Sequence, residues 1–151
     1  MQLLLVNLMA ATSLAVSATG DLDWSTHYGN AKAKASQSNR PLLVIIENPT
    51  VAADRLDDSA LVKNKERVAI VKNYELCRVD ASTAYGKRVA AAFGAKSLPY
   101  TAVTDRSARY ITYRRAGKMS ADQWAQALGQ SQRMSAVFDS TNCSTGTYCS
   151  S

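Results

Sequence analysis

The chain predicts an α/β domain, a mixed four- to five-stranded sheet flanked by helices on both faces. Two observations carry this. Leu42–Ile46 is an unbroken run of leucine, valine and isoleucine, the pattern of a strand buried on both faces. Around it, segments of helical and strand period follow in the order helix, strand, helix, strand, helix, strand, strand, helix. A strand–helix–strand crossover followed by a hairpin and a closing helix gives such a sheet. With 151 residues, 46% hydrophobic and 20% charged, the chain has the size and composition of one globular core.

Asp21 to Asn39 reads as an amphipathic helix with Trp24, Tyr28, Ala31 and Ala35 on one face and Asp23 or Ser25 as the cap. Asn39-Arg40-Pro41 ends it, because proline disfavours helical backbone in the residue before it. After the Leu42–Ile46 strand, Asn48-Pro49-Thr50 breaks the chain, and Val51 to Lys65 reads as a helix, continuous or interrupted, with Thr50 as its candidate cap. Val68 to Val71 is a further apolar piece. Tyr74 to Asp80 alternates as a strand with Leu76 and Arg78 on one face. Ser82 or Thr83 caps an alanine-rich helix that ends at Phe93-Gly94.

Tyr100 to Thr104 and Arg109 to Arg115 read as a strand pair around the turn Asp105 to Ala108. The arginines suit an edge strand, where charge discourages edge-to-edge pairing. Ser120 caps the last helix, with Trp124, Ala127 and Leu128 as its buried face. From Gln130 onward the helical period fades into serine and threonine.

Three segments follow: a leader over 1–18, a domain over 21–132, and a Ser/Thr-rich tail over 133–151. The first 18 residues carry no charged side chain, and Val16-Ser17-Ala18 has the small-x-small form of a signal-peptidase site. Export, periplasmic or secreted, with cleavage after Ala18 is the expectation. A retained N-terminal helix or an anchor is the competing reading, although Asn7 and Ser13 interrupt the stretch. Stable membrane insertion after cleavage is not expected. Three cysteines leave one over: Cys143 and Cys149 could close a short loop in an oxidising compartment, with Cys77 a solitary thiol.

The formal charge of +6 is unevenly placed, residues 19–60 being net acidic and 61–151 net basic. Dispersed charge favours an ordinary soluble surface, and with export it argues against nucleic acid as a partner. An anionic surface binder using Lys96, Arg106, Arg109, Arg114 and Arg115 is a weaker reading that predicts steep salt dependence. The single His27 has no second histidine for a metal site. Asp54, Asp57 and Asp58 read as a solvated acidic helix face, lacking the alternation and glycine of a calcium loop. There is no nucleophile elbow and no phosphate-binding glycine loop, so neither a metal nor a cofactor is implied.

Trp24-x-x-x-Tyr28-x-x-Ala31 followed by Arg40-Pro41-Leu42-Leu43, then Phe93-Gly94-Ala95 and Ser97-Leu98-Pro99-Tyr100-Thr101, form an ordered set. With the turn at Asp105 and the later Gly117, this set resembles the thioredoxin-like superfamily over roughly Trp24 to Gln130. The resemblance implies that Pro99 is the family's cis-proline. It also implies that Leu98 presents its backbone to an extended peptide as an added strand. Counted from Pro41, the family's two CxxC cysteines fall at Val51 and Asp54, and its buried acid falls at Ile45.

Thiol–disulfide exchange needs a nucleophilic thiolate and a resolving thiol; valine and aspartate supply neither. No catalytic residue is therefore assigned. The resemblance implies a redox-inactive, exported thioredoxin-like domain that binds an extended peptide or protein partner. The implied groove is Asn48 to Ala53 and Lys96 to Tyr100, with Asn48, Pro49, Val51, Leu98, Pro99 and Tyr100 as its contact residues and Pro49, Val51 and Tyr100 providing apolar surface. The alternative is a thiol–disulfide oxidoreductase or other thiol-dependent enzyme using Cys77, or Cys143 with Cys149.

Overall fold

A computed structural model describes residues 22–142, with side chains through Gln130 and at Arg133. The leader with its cleavage site after Ala18, and the Cys143–Cys149 pair, lie outside the described residues. In chain order the elements are β1 (Trp24–Ser25), α1 (Tyr28–Ser38), β2 (Leu42–Glu47), α2 (Ser59–Val62), α3 (Lys65–Val71), β3 (Glu75–Asp80), α4 (Ala84–Phe93), β4 (Tyr100–Thr104), β5 (Ile111–Ala116) and α5 (Ala121–Asn142). A single 3-10 turn, Ala52–Asp54, lies between β2 and α2.

The sheet order is β1-β3-β2-β4-β5. β1 and β2 each run parallel to β3, while β4 runs antiparallel to both β2 and β5. Every residue of β2 is buried, as its uninterrupted apolar run requires of a central strand with helices above and below. The period of two then sorts its side chains. Leu43 and Ile45 join Leu76, Val103, Trp124 and Leu128 in a core beneath α2, α3 and α5. Leu42, Val44 and Ile46 join Cys77, Val79, Ala102 and Phe93 in a second core beneath α1 and α4. Each such buried aliphatic side chain contributes about 2 kcal/mol relative to exposure.

Several local expectations hold. Leu76 faces the first core, with Arg78 on the same side of β3. The Thr83 hydroxyl accepts from the Gly86 amide as the α4 cap, and Gly94 closes that helix in the left-handed conformation at φ 67°. Ser120 and Gln123 cap α5 reciprocally: the Gln123 amide donates to the Ser120 hydroxyl, and the Ser120 amide donates to the Gln123 side chain.

Other boundaries move, each for a tertiary reason. The first helix begins at Tyr28, because Trp24 and Ser25 leave the helical pattern to pair with Leu76 and Cys77. Neither Asp23 nor Ser25 is its cap. His27 holds that position without a side-chain capping bond, its ring Nδ1 lying 3.4 Å from the Tyr85 hydroxyl instead, and Asp23 pairs with Lys34 at 3.3 Å. Val51 to Lys65 takes the interrupted form, a 3-10 turn at Ala52–Asp54, an extended stretch and α2. The Thr50 hydroxyl bonds the Asn48 side chain instead of capping, and Leu56 is drawn in to donate its amide to the Glu47 carboxylate at 2.7 Å. Asn64 then caps α3, its side chain accepting from the Glu66 and Arg67 amides. The predicted edge strand starts at Ile111 rather than Arg109, whose amide is held by Asp105. At the C-terminal end the backbone stays helical to Asn142, past Gln130 where the sequence loses its helical period.

Asp105 organises the β4–β5 turn. Its carboxylate accepts from the Ser107 hydroxyl and from the amides of Ser107, Arg109 and Tyr110. Burial pushes its pKa up, but these hydrogen bonds outweigh that and hold the carboxyl below its ordinary value. A carboxyl whose folded pKa lies below its unfolded one stabilises fully above the unfolded value, about 3.9. That contribution is lost as pH falls through the folded value. Asp105→Asn is therefore expected to cost about 1 kcal/mol near neutrality, and the gap to wild type should close below about pH 4. Paired urea titrations from pH 7 to pH 2.5 read this directly. A gap that widens on acidification would contradict the assignment.

Candidate functional site

Because β1, β2 and β3 are parallel, their C-terminal ends emerge on one side of the sheet. The N-terminal end of the antiparallel β4 emerges beside them. In open α/β sheets this is the side on which loops diverge and leave a crevice. Here it gathers Thr26 and His27 after β1, the Asn48–Asp54 loop after β2, Asp80 to Thr83 after β3, and the Leu98–Pro99 loop before β4.

The loop after β2 is closed on itself. The Asn48 side chain accepts from the Thr50 amide and hydroxyl, the Asn48 backbone N–H donates to the Asp54 carbonyl, and the Val51 backbone N–H donates to the Asn48 backbone carbonyl. The tip stays open to solvent: Pro49 is exposed and Val51 is 42% exposed. Across from it, the Leu98–Pro99 peptide bond is cis. The Ile46–Tyr100 pairing, continued by two residues, sets Leu98 opposite Asn48. The Pro99 carbonyl accepts from the Gly117 amide at 2.7 Å, whereas the Leu98 backbone has no hydrogen bond among the described residues. Two members of the expected contact set are not available as surface. Pro99 is buried, and Tyr100 is 6% exposed with its hydroxyl donated to the Phe93 carbonyl. Core packing of Tyr100 against the α4 face removes it from the groove.

Beneath the loop lies a charge network that the sequence did not announce. Ile45 is buried in the core, but Glu47, two residues on and on the same strand face, carries a buried carboxylate. It accepts from the Leu56 amide and sits 3.3 Å from Arg78, whose second terminal nitrogen lies 2.8 Å from Asp58. The Arg78 guanidinium also stacks 4.7 Å from the centre of the Trp24 ring. Asp58 is thus an ion-pair partner, not part of a solvated helical face. The available signal was one charge of each sign on facing sides of adjacent parallel strands, Glu47 and Arg78.

A cleft of about 580 Å3 opens at the same end of the sheet. His27 and Tyr85 form one wall, stacked with ring centres 4.4 Å apart. Pro49, Glu47, Arg78, Asp80, Thr26 and Thr83 complete its lining. His27, exposed at the N-cap of α1, thus lines this cleft.

The described residues place no thiol in this region. Cys77 is wholly buried in β3 among the residues beneath α1 and α4, and burial pushes its thiol up to about 12. That direction is the opposite of the depressed values of reactive cysteines. Among the described residues no group of three or more histidine, cysteine or acidic side chains is arranged to hold a metal, and no helix is long and apolar enough to cross a membrane.

No family model and no curated protein matches the chain. Solved structures do. A thioredoxin from Thermus thermophilus superposes with a TM-score of 0.63 at 12% identity, covering 83% of this chain and 98% of that one. The C-terminal domain of Neisseria meningitidis DsbD in the oxidised form gives 0.57 at 13% identity, over 72% and 99%. Thioredoxin O2 from Arabidopsis thaliana in the oxidised state gives 0.56 at 11% identity, over 71% and 90%. At such identities the likeness speaks for architecture, not chemistry. The sheet order, the helices on both faces and these superpositions establish that the chain has the thioredoxin-like fold.

Proposed function

We propose that this chain is an exported, redox-inactive domain that binds an extended segment of a protein partner beside the Leu98–Pro99 loop. The observation that carries the reading is the open backbone of Leu98, set across from the exposed Pro49 and Val51. An extended peptide can pair with that backbone as an added strand while its side chains rest on the apolar loop tip. Val51 and Asp54 stand where the resemblance expects cysteines, which supports binding without exchange. The thiol-dependent alternative gains nothing from Cys77, which is buried and held protonated.

Two measurements test the reading together. The purified protein should not accelerate insulin reduction by dithiothreitol beyond the reagent blank. Strong acceleration that is lost on Cys77→Ser would overturn redox inactivity. Panning a library of unstructured dodecapeptides should enrich binders, and their affinity should fall about tenfold with Val51→Asp and on N-methylation of alternate peptide amides. Binders indifferent to both changes would remove the groove from the account.

A further inference from the structure

The cleft beside Pro49 has a chemistry that selects its occupant. Its walls are the stacked rings of His27 and Tyr85 and the ring of Pro49, surfaces suited to an unbranched apolar stem. Its charge is unbalanced. Arg78, the sole lysine or arginine lining it among the described residues, is committed to Glu47 at 3.3 Å and Asp58 at 2.8 Å. Asp80 has no such commitment. One carboxylate oxygen accepts from the Ser82 amide and hydroxyl, and no described lysine or arginine pairs with it.

We infer that this cleft receives a lysine or arginine side chain of the partner peptide, with its stem between the His27–Tyr85 stack and Pro49 and its cation on Asp80. The inference rests on the peptide-binding reading, since Pro49 is shared between the groove and the cleft. An acidic side chain is disfavoured: it meets the unpaired Asp80 carboxylate there, while the only lining guanidinium among the described residues is already held by Glu47 and Asp58. A purely aliphatic one gains the walls and leaves Asp80 unanswered. A basic side chain alone offers both an apolar stem for the walls and a cation for Asp80.

The test uses single-residue probes too short to pair with Leu98. Amide spectra of the full chain are recorded while titrating N-acetyl-arginine N-methylamide, and then its norleucine and glutamate counterparts. The arginine probe should shift the amides of His27, Asp80 and Tyr85 and half-saturate at a concentration about fivefold below norleucine, the effect of one partly exposed charge contact. The glutamate probe should leave those amides unmoved. Asp80→Asn, which retains an oxygen for the Ser82 bonds, should bring arginine to the norleucine level with the remaining spectrum unchanged. Equal binding of arginine and norleucine, absence of shifts with every probe, or arginine binding indifferent to Asp80→Asn overturns the inference. Such a failure leaves the groove standing if panned dodecapeptides still bind. Binding of the arginine probe without any dodecapeptide binder sinks the groove instead.

Discussion

Gly86→Ala is expected to destabilise the domain by about 3 kcal/mol and lower the thermal midpoint by about 10 °C. A methyl group at residue 86 would stand 1.8 Å from the Asp80 carbonyl oxygen and 2.5 Å from its carbon. Both are backbone atoms at the end of a central strand, so the first turn of α4 must move away as a unit. In an open helix alanine would be favoured over glycine by up to about 1 kcal/mol, so the sign itself is diagnostic. The displacement also carries the cleft wall, because Thr83 and Tyr85 flank the same turn. Thermal denaturation followed by circular dichroism decides the matter: a midpoint unchanged or raised would show that α4 does not approach β3 this closely.

Arg78→Met should have a comparable effect by a different route. It leaves the buried Glu47 carboxylate with only the Leu56 amide, and deprives Asp58 and Trp24 of their shared partner. Removing one member of a buried pair costs about 3–5 kcal/mol when the remaining charge stays unanswered; the partial exposure of Arg78 puts this case at the low end. Glu47→Gln in the same chain removes that orphan charge while keeping an oxygen for Leu56. The double variant should therefore recover much of the loss. Urea unfolding of the two single variants and the double variant measures the coupling. A double variant that loses the sum of the single effects would mean that Glu47 and Arg78 act independently.

These two sites differ in how far they could be read from the chain. The alanine-rich helix with its Thr83 cap and Gly94 stop is local chemistry, and the sequence predicts it. That Gly86 lies against Asp80 is a contact between elements and leaves no local mark. The Val51–Lys65 segment takes only the interrupted form of the expected helix. Its composition permits a helix, but the Glu47 carboxylate and the burial of Leu56 pull the chain into a 3-10 turn and an extended stretch. Trp24 behaves similarly, because pairing with Leu76 outweighs a helical spacing that isolated propensity favours only weakly. At the candidate site the loops themselves were legible. The loss of Tyr100 to the core was not, because it depends on the end of α4 at Phe93 closing over the start of β4.

The sequence alone determined the layered α/β architecture, the buried central strand, the edge position of the arginine-rich strand, and the lack of cysteines at Val51 and Asp54. Periodicity, proline and glycine placement and residue chemistry are encoded locally and survive without coordinates. The tertiary structure decided what those loops can do. It buried Glu47 beside Arg78, sealed Cys77 in the core, stacked His27 on Tyr85 and left the Leu98 backbone open. Burial and electrostatic pairing depend on which distant segments meet, and that is settled only when the whole core has closed.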